Sequence, residues 1–195
     1  MTRLRRLCVF TGSRSGTRPS YLEQATELGR LLAERDISLV YGGAKVGLMG
    51  ALAGAALAGG GEVVGVIPHA LVAKEIAHDA LSALHVVSSM HERKAKMAEL
   101  SDAFVALPGG FGTLEELFEV ITWSQLGLHS KPIGLLNTDG YFGPLLDFLS
   151  HVVVEGFSNS DALSVFVIEK TPQRLLDALG GWHPVALGPK WVAKA

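Results

Sequence analysis

Seven short apolar runs recur along this chain, and helical patterns fill most of the intervals between them. The runs are Leu7–Thr11, Ile37–Tyr41, Val63–Ile67, His85–Val87, Ala103–Leu107, Pro132–Leu136 and Val165–Ile168. Helical periodicity covers Ser20–Glu34, Leu48–Ala58, Met90–Leu100, Leu114–Leu128, Phe142–Val154 and Pro172–Leu179. A strand apolar on both faces must be covered on both, and the alternating helices supply that cover. The pattern predicts an α/β fold, a Rossmann-like three-layer sandwich with a central parallel sheet of about seven strands. With 195 residues, 48% of them apolar, residues 1–180 are expected to form a single domain with a sizeable core. Residues 181–195 show no clear period and are read as a tail.

In such a sheet, ligands bind beyond the carboxyl ends of the strands. Four segments fall there: Thr11-Gly12-Ser13, Tyr41-Gly42-Gly43, Ile67-Pro68 and Pro108-Gly109-Gly110. The last is the most informative. The run Ala103–Leu107 enters the glycine-rich turn 108–112, and Leu114, Leu117, Phe118 and Ile121 then follow at helical spacing. Strand, glycine turn and helix N-terminus together suit an anion, because bare N–H groups and the helix dipole face it. Thr113 adds a hydroxyl donor. Thr113 and Glu116 also spell the T-x-x-E capping box, so a purely structural reading stands beside the functional one.

Missing motifs narrow the ligand. The first strand is followed by Gly12-Ser13-Arg14-Ser15-Gly16, not G-x-G-x-x-G, and no acidic residue ends the second strand. A dinucleotide site is therefore not expected, and the absence of any Gly-Lys pair excludes a Walker A loop. The histidines are scattered, and His91-Glu92 lacks the second histidine of a zinc motif, so no metal is expected. A net charge of −2 offers no basic field for nucleic acid or anionic membrane. The uncharged stretch 46–61 is shorter than the roughly 20 residues of a membrane span. Cys8 is the sole cysteine, which forbids an intrachain disulfide and suggests a reducing, cytoplasmic setting.

Arg93 carries more information than the other charges. It lies three residues after Met90 and four before Met97, on the apolar stripe of its helix. A guanidinium there needs an anion. A carboxylate such as Glu116 or Glu119 is one candidate, and a phosphate or substrate base is the other.

Met90-His91-Glu92-Arg93-Lys94 followed by Pro108-Gly109-Gly110-Phe111-Gly112-Thr113-Leu114-Glu115-Glu116 resembles the paired signature of the LOG ("Lonely guy") family. Those proteins are cytokinin riboside 5′-monophosphate phosphoribohydrolases. The likeness includes Phe10-Thr11-Gly12-Ser13, Tyr41-Gly42-Gly43, Gly47-Leu48-Met49-Gly50, Thr122 to Gly127 and Lys131-Pro132, and covers about residues 7 to 170. Thr11, Arg14 and Ala44 depart from residues frequent in the family. Many relatives are labelled lysine decarboxylases, but a chain this short lacks room for a typical pyridoxal-phosphate enzyme.

The resemblance implies cleavage of the N-glycosidic bond of an adenosine-type 5′-monophosphate, giving free base and ribose 5-phosphate without a cofactor. It implies Glu116 as the carboxylate that stabilises an oxocarbenium-like transition state, with Arg93 as its catalytic partner. Gly110, Gly112 and Thr113 would hold the 5′-phosphate, and Glu75 and Thr122 match substrate-contacting positions. The same motifs add Ser13, Gly43, Lys94, Phe111, Leu114 and Glu115 as substrate-binding candidates. Homodimers with sites near the interface are implied as well. A non-catalytic nucleotide or molybdenum-cofactor carrier on the same fold is the rival expectation.

Overall fold

The computed structural model describes residues 4–72 and 78–183. Its seven strands are β1 (Arg6–Phe10), β2 (Ser38–Tyr41), β3 (Val63–Pro68), β4 (Ala83–Val87), β5 (Ala103–Ala106), β6 (Ile133–Leu136) and β7 (Phe166–Glu169). They form one sheet in the order β4-β3-β2-β1-β5-β6-β7. Every pairing is parallel. The α/β Rossmann-like reading of the sequence is correct, and each strand lies within two residues of its expected start.

The helices are α1 (Pro19–Glu34), α2 (Gly47–Ala58), α3 (His69–Val72), α4 (Met90–Glu99), α5 (Phe111–Gln125), α6 (Gly143–Val154) and α7 (Pro172–Gly180). The four-residue α3 was not expected, being too short to show a period. Alternate residues of each central strand feed different cores. Leu7 and Val9 of β1 join Leu28 of α1, Leu52 of α2 and Leu175 of α7. Cys8 and Phe10 join Met97 of α4, Leu117 of α5 and Phe142 ahead of α6. Both faces of the sheet are thus covered, as the continuous apolar runs require.

The strand order locates the site. β2, β3 and β4 extend from one side of β1, and β5, β6 and β7 from the other. After β1 the chain enters a helix on one face of the sheet, and after β5 it enters one on the opposite face. Their loops therefore part, leaving a crevice at the carboxyl ends of β1 and β5.

One boundary corrects the sequence reading. Helix α5 starts at Phe111, three residues before the expected Leu114, with Gly110 in extended backbone as its N-cap. Thr113 is therefore the third helical residue, and the capping-box reading of Thr113 and Glu116 fails. The helix also ends at Gln125, not Leu128, because Gly127 turns left-handed at φ 75°.

Candidate active site

A cleft of about 510 Å³ opens at the crevice between β1 and β5, within the size range of small-ligand sites. The loop after β1, Gly42 after β2, the residues Met90 and Arg93 of α4, and the turn into α5 line it. So do Glu115 and Glu116 of α5 and the aromatic side chains Tyr21 and Tyr141.

The turn 108–110 is held against the β1 loop by close backbone approach. A Cβ on Gly109 would stand 2.1 Å from the Thr113 hydroxyl and 2.9 Å from the Gly12 nitrogen, so only glycine fits. Gly12 N–H donates to the Pro108 carbonyl at 3.2 Å, and the Thr11 hydroxyl donates to the same oxygen at 3.3 Å. These bonds lock the β1 loop to the β5 loop. The first N–H groups of α5, those of Phe111, Gly112 and Thr113, have no partner within the helix and face the site end-on. Arg14 also lines the cleft, and among the described residues it has no carboxylate partner. It adds positive charge to the cleft that the N-terminus of α5 also lines.

Arg93 reaches the cleft from α4 and is 7% exposed. Its Nε donates to the Val66 carbonyl of β3 at 3.0 Å, and Nη2 reaches the Gly42 carbonyl at 3.5 Å. A Cβ on Gly42 would lie 2.2 Å from Nη2, so the guanidinium occupies the space a side chain would need. The remaining Nη1 lies 3.6 Å from Oε1 of Glu116. Arg93 therefore forms the internal ion pair with Glu116, and both residues line the cleft. Strand ends of β2 and β3 aim the guanidinium, which leaves one edge for the carboxylate.

Glu116 is 9% exposed on the second turn of α5. A buried carboxylate beside a guanidinium, in the same cleft as the first N–H groups of α5, can stabilise positive charge on a group bound there.

Of the sequence-based candidates, the cleft brings together Ser13, Arg93, Gly110, Phe111, Gly112, Thr113, Glu115 and Glu116. Leu114, Lys94, Gly43 and Thr122 lie outside its lining. Leu114 is half-buried against the apolar core around α5. Gly43 turns left-handed at φ 84° and its carbonyl accepts from His78 N–H, leaving Gly42 as the contributor from that segment. The Thr122 hydroxyl donates to the Phe118 carbonyl within α5. Glu75 falls outside the described residues. Lys94 is turned toward Glu115 and toward Glu119, the latter at 3.0 Å. Burial pulls its ammonium pKa down, but the hydrogen bonds with Glu115 and Glu119 outweigh that and hold it raised.

The sequence reading missed Tyr21 and Tyr141. Tyr141 follows β6, a strand end not counted among the four candidate segments, and the neighbouring pair Asp139-Gly140 was the available turn signal.

A family model described as "possible lysine decarboxylase" matches residues 49–179. The cytokinin riboside 5′-monophosphate phosphoribohydrolase LOG of Oryza sativa subsp. japonica is 50% identical over 183 residues, 94% of this chain and 76% of that protein. The chain belongs to the LOG family. The cytokinin riboside 5′-monophosphate phosphoribohydrolase LOG7 of Arabidopsis thaliana is 51% identical over 183 residues, 94% of this chain and 84% of that one. Among solved structures, the molybdenum cofactor carrier protein of Chlamydomonas reinhardtii aligns with TM-score 0.70 at 22% identity, covering 91% of this chain and 96% of its own. The molybdenum cofactor binding protein of Rippkaea orientalis aligns with TM-score 0.68 at 23% identity, covering 92% and 97%. These two share the fold of the LOG-family chain. No lysine is among the described residues that line the cleft.

Proposed function

We propose that this LOG-family chain hydrolyses the N-glycosidic bond of adenosine-type 5′-monophosphates, releasing the base and ribose 5-phosphate. The observation that carries the reading is the Arg93–Glu116 pair, which lines the same cleft as the glycine turn and the N-terminus of α5. The turn, Thr113 and Arg14 suit a 5′-phosphate at one end. The apolar side chains of Leu48, Met49 and Met90 suit a base elsewhere along the wall. As the C1′–N bond breaks, positive charge grows on the sugar ring, and the Glu116 carboxylate stabilises it while accepting a proton from the attacking water. Arg93 orients Glu116 through their contact at 3.6 Å. Relatives at about half identity that are named for this activity support the assignment. A carrier of an anionic cofactor would gain nothing from a carboxylate beside its ligand.

The phosphate assignment has a direct kinetic consequence. AMP should be cleaved far faster than adenosine, because binding energy at the remote phosphate supports the reacting centre. Comparing kcat/KM for the two substrates tests it, and equal turnover would remove the turn from the binding site. The same assay with N6-isopentenyl AMP reports which base the cleft prefers.

Lys94 acts in this reading as a strut between α4 and α5. Lys94→Met is expected to cost up to about 1 kcal/mol of stability, because Glu115 and Glu119 lose their cation but both reach solvent. KM for AMP should stay near the parent value. Urea melts and steady-state kinetics on one preparation separate this from direct substrate contact, in which KM would rise and stability hold.

A homodimer in the cytoplasm completes the proposal. Exposed apolar side chains, among them Leu128, Phe148, Val154 and Phe157, support a partner surface. The lone buried thiol of Cys8 supports a reducing setting.

A further inference from the structure

We propose that Tyr141 is a positioning residue of the phosphate-binding turn: it holds the Gly109 carbonyl away from the anion, so that N–H groups face it. The inference rests on the phosphoribohydrolase reading of this cleft and adds a residue outside every motif that suggested it.

The argument starts from where the turn's oxygens go. A carbonyl aimed at a phosphate repels it, so a turn that binds anions must dispose of each one elsewhere. The Pro108 oxygen accepts from Gly12 N–H and from the Thr11 hydroxyl. The Gly110 oxygen accepts from Leu114 N–H at 3.1 Å, the first bond of α5. The Gly109 oxygen accepts from the phenol of Tyr141, 32 residues further along the chain. Gly109 and Gly110 have no side chains to restrain the peptide between them, and glycine moves between backbone conformations at little cost. The Tyr141 hydroxyl therefore selects one orientation of that peptide.

The ring that carries the hydroxyl is itself fixed. It meets Tyr21 edge-on at 5.7 Å and Phe142 at 5.0 Å, and Phe142 is buried. The Asn137 side chain accepts from Phe142 N–H at 2.8 Å, closing the bend after β6. Asp139 in that bend adopts a left-handed φ of 51° and accepts from the Ser20 hydroxyl at 2.6 Å. Arg18 pairs with the same carboxylate at 3.8 Å. The loop after β6 is thus tied to the start of α1, and it delivers Tyr141 to the turn after β5.

Tyr141→Phe keeps both edge contacts and removes only the hydroxyl. Steady-state kinetics with AMP and adenosine, calorimetry with ribose 5-phosphate and a thermal melt form the test. KM for AMP and Kd for ribose 5-phosphate are expected to rise together by about tenfold, the scale of one lost hydrogen bond. The preference for AMP over adenosine should fall by the same factor, with kcat changing less and the melting temperature holding. A KM and Kd within twofold of the parent would overturn the proposal, as would equal losses on AMP and adenosine. A parent protein that binds ribose 5-phosphate but leaves AMP intact would overturn the hydrolase reading alone, with the calorimetric arm still deciding Tyr141. A parent that binds neither overturns both.

Discussion

Glu116→Gln should lower kcat for AMP by roughly 10²-fold or more, the scale of a lost general base, while leaving the fold and AMP binding close to the parent. Glutamine keeps the shape of the side chain and one acceptor oxygen toward Arg93. It cannot carry the charge that opposes an oxocarbenium ion, nor take a proton from water. The position of Glu116 on the second turn of α5 strengthens the test, because no helix cap is lost with its charge. Glu115→Gln is the matched control. Its carboxylate pairs with Lys94 and is half in solvent, so removing that charge should affect turnover far less. Near-parent hydrolysis by Glu116→Gln would move the catalytic carboxylate elsewhere, with Glu119 and Glu75 the next candidates.

Arg93→Ala should also abolish measurable turnover, with a loss of at least about 10²-fold, the scale set by removing one preorganised charge donor. Its effect on stability follows from what the guanidinium leaves behind. The Val66 and Gly42 carbonyls and the Glu116 carboxylate each lose a partner. In a sealed core, breaking such a pair would cost about 3–5 kcal/mol. Here Gly42 and Glu116 line a cleft where water can replace the guanidinium, while Val66 is buried, so an intermediate cost of about 1–3 kcal/mol is expected. Arg93→Lys sharpens the result. Lysine restores the charge but cannot span two carbonyls and a carboxylate with one ammonium, so stability should recover further than activity. Activity and thermal melts on the same preparation decide the matter. A steep fall in melting temperature with full residual turnover would make Arg93 a structural ion pair only.

Much of this was legible in the sequence, for reasons that differ between elements. The sheet was readable because buried parallel strands are apolar throughout, and Ala103–Ala106 shows no polar residue to blur the signal. Arg93 was readable as an anomaly, a charge on an apolar stripe, and Glu116 was among its candidate partners, but its pattern alone did not choose between Glu116, Glu119 and a ligand. Glu116 lies 23 positions away, and only the packing of α4 beside α5 brings the two side chains together. The start of α5 was misjudged because Phe111 looks like part of an apolar turn, yet it is 94% exposed at the first helical position. Lys94 looked like a neighbour of the site. Its direction depends on the rotation of α4, which a one-residue step in sequence turns by about 100°. Tyr141 was invisible for a related reason: its phenol meets a main-chain oxygen, and no side-chain pattern records such a bond.

The central claim is that the cleft cleaves the bond between base and ribose and leaves the phosphate ester intact. Identifying the products of AMP after incubation with the purified protein tests it most directly, using chromatography for the base and an enzymatic assay for the sugar phosphate. The account predicts adenine and ribose 5-phosphate in equal amounts, with neither adenosine nor free phosphate. Adenosine and inorganic phosphate as the products, or AMP recovered unchanged while bound, would contradict it.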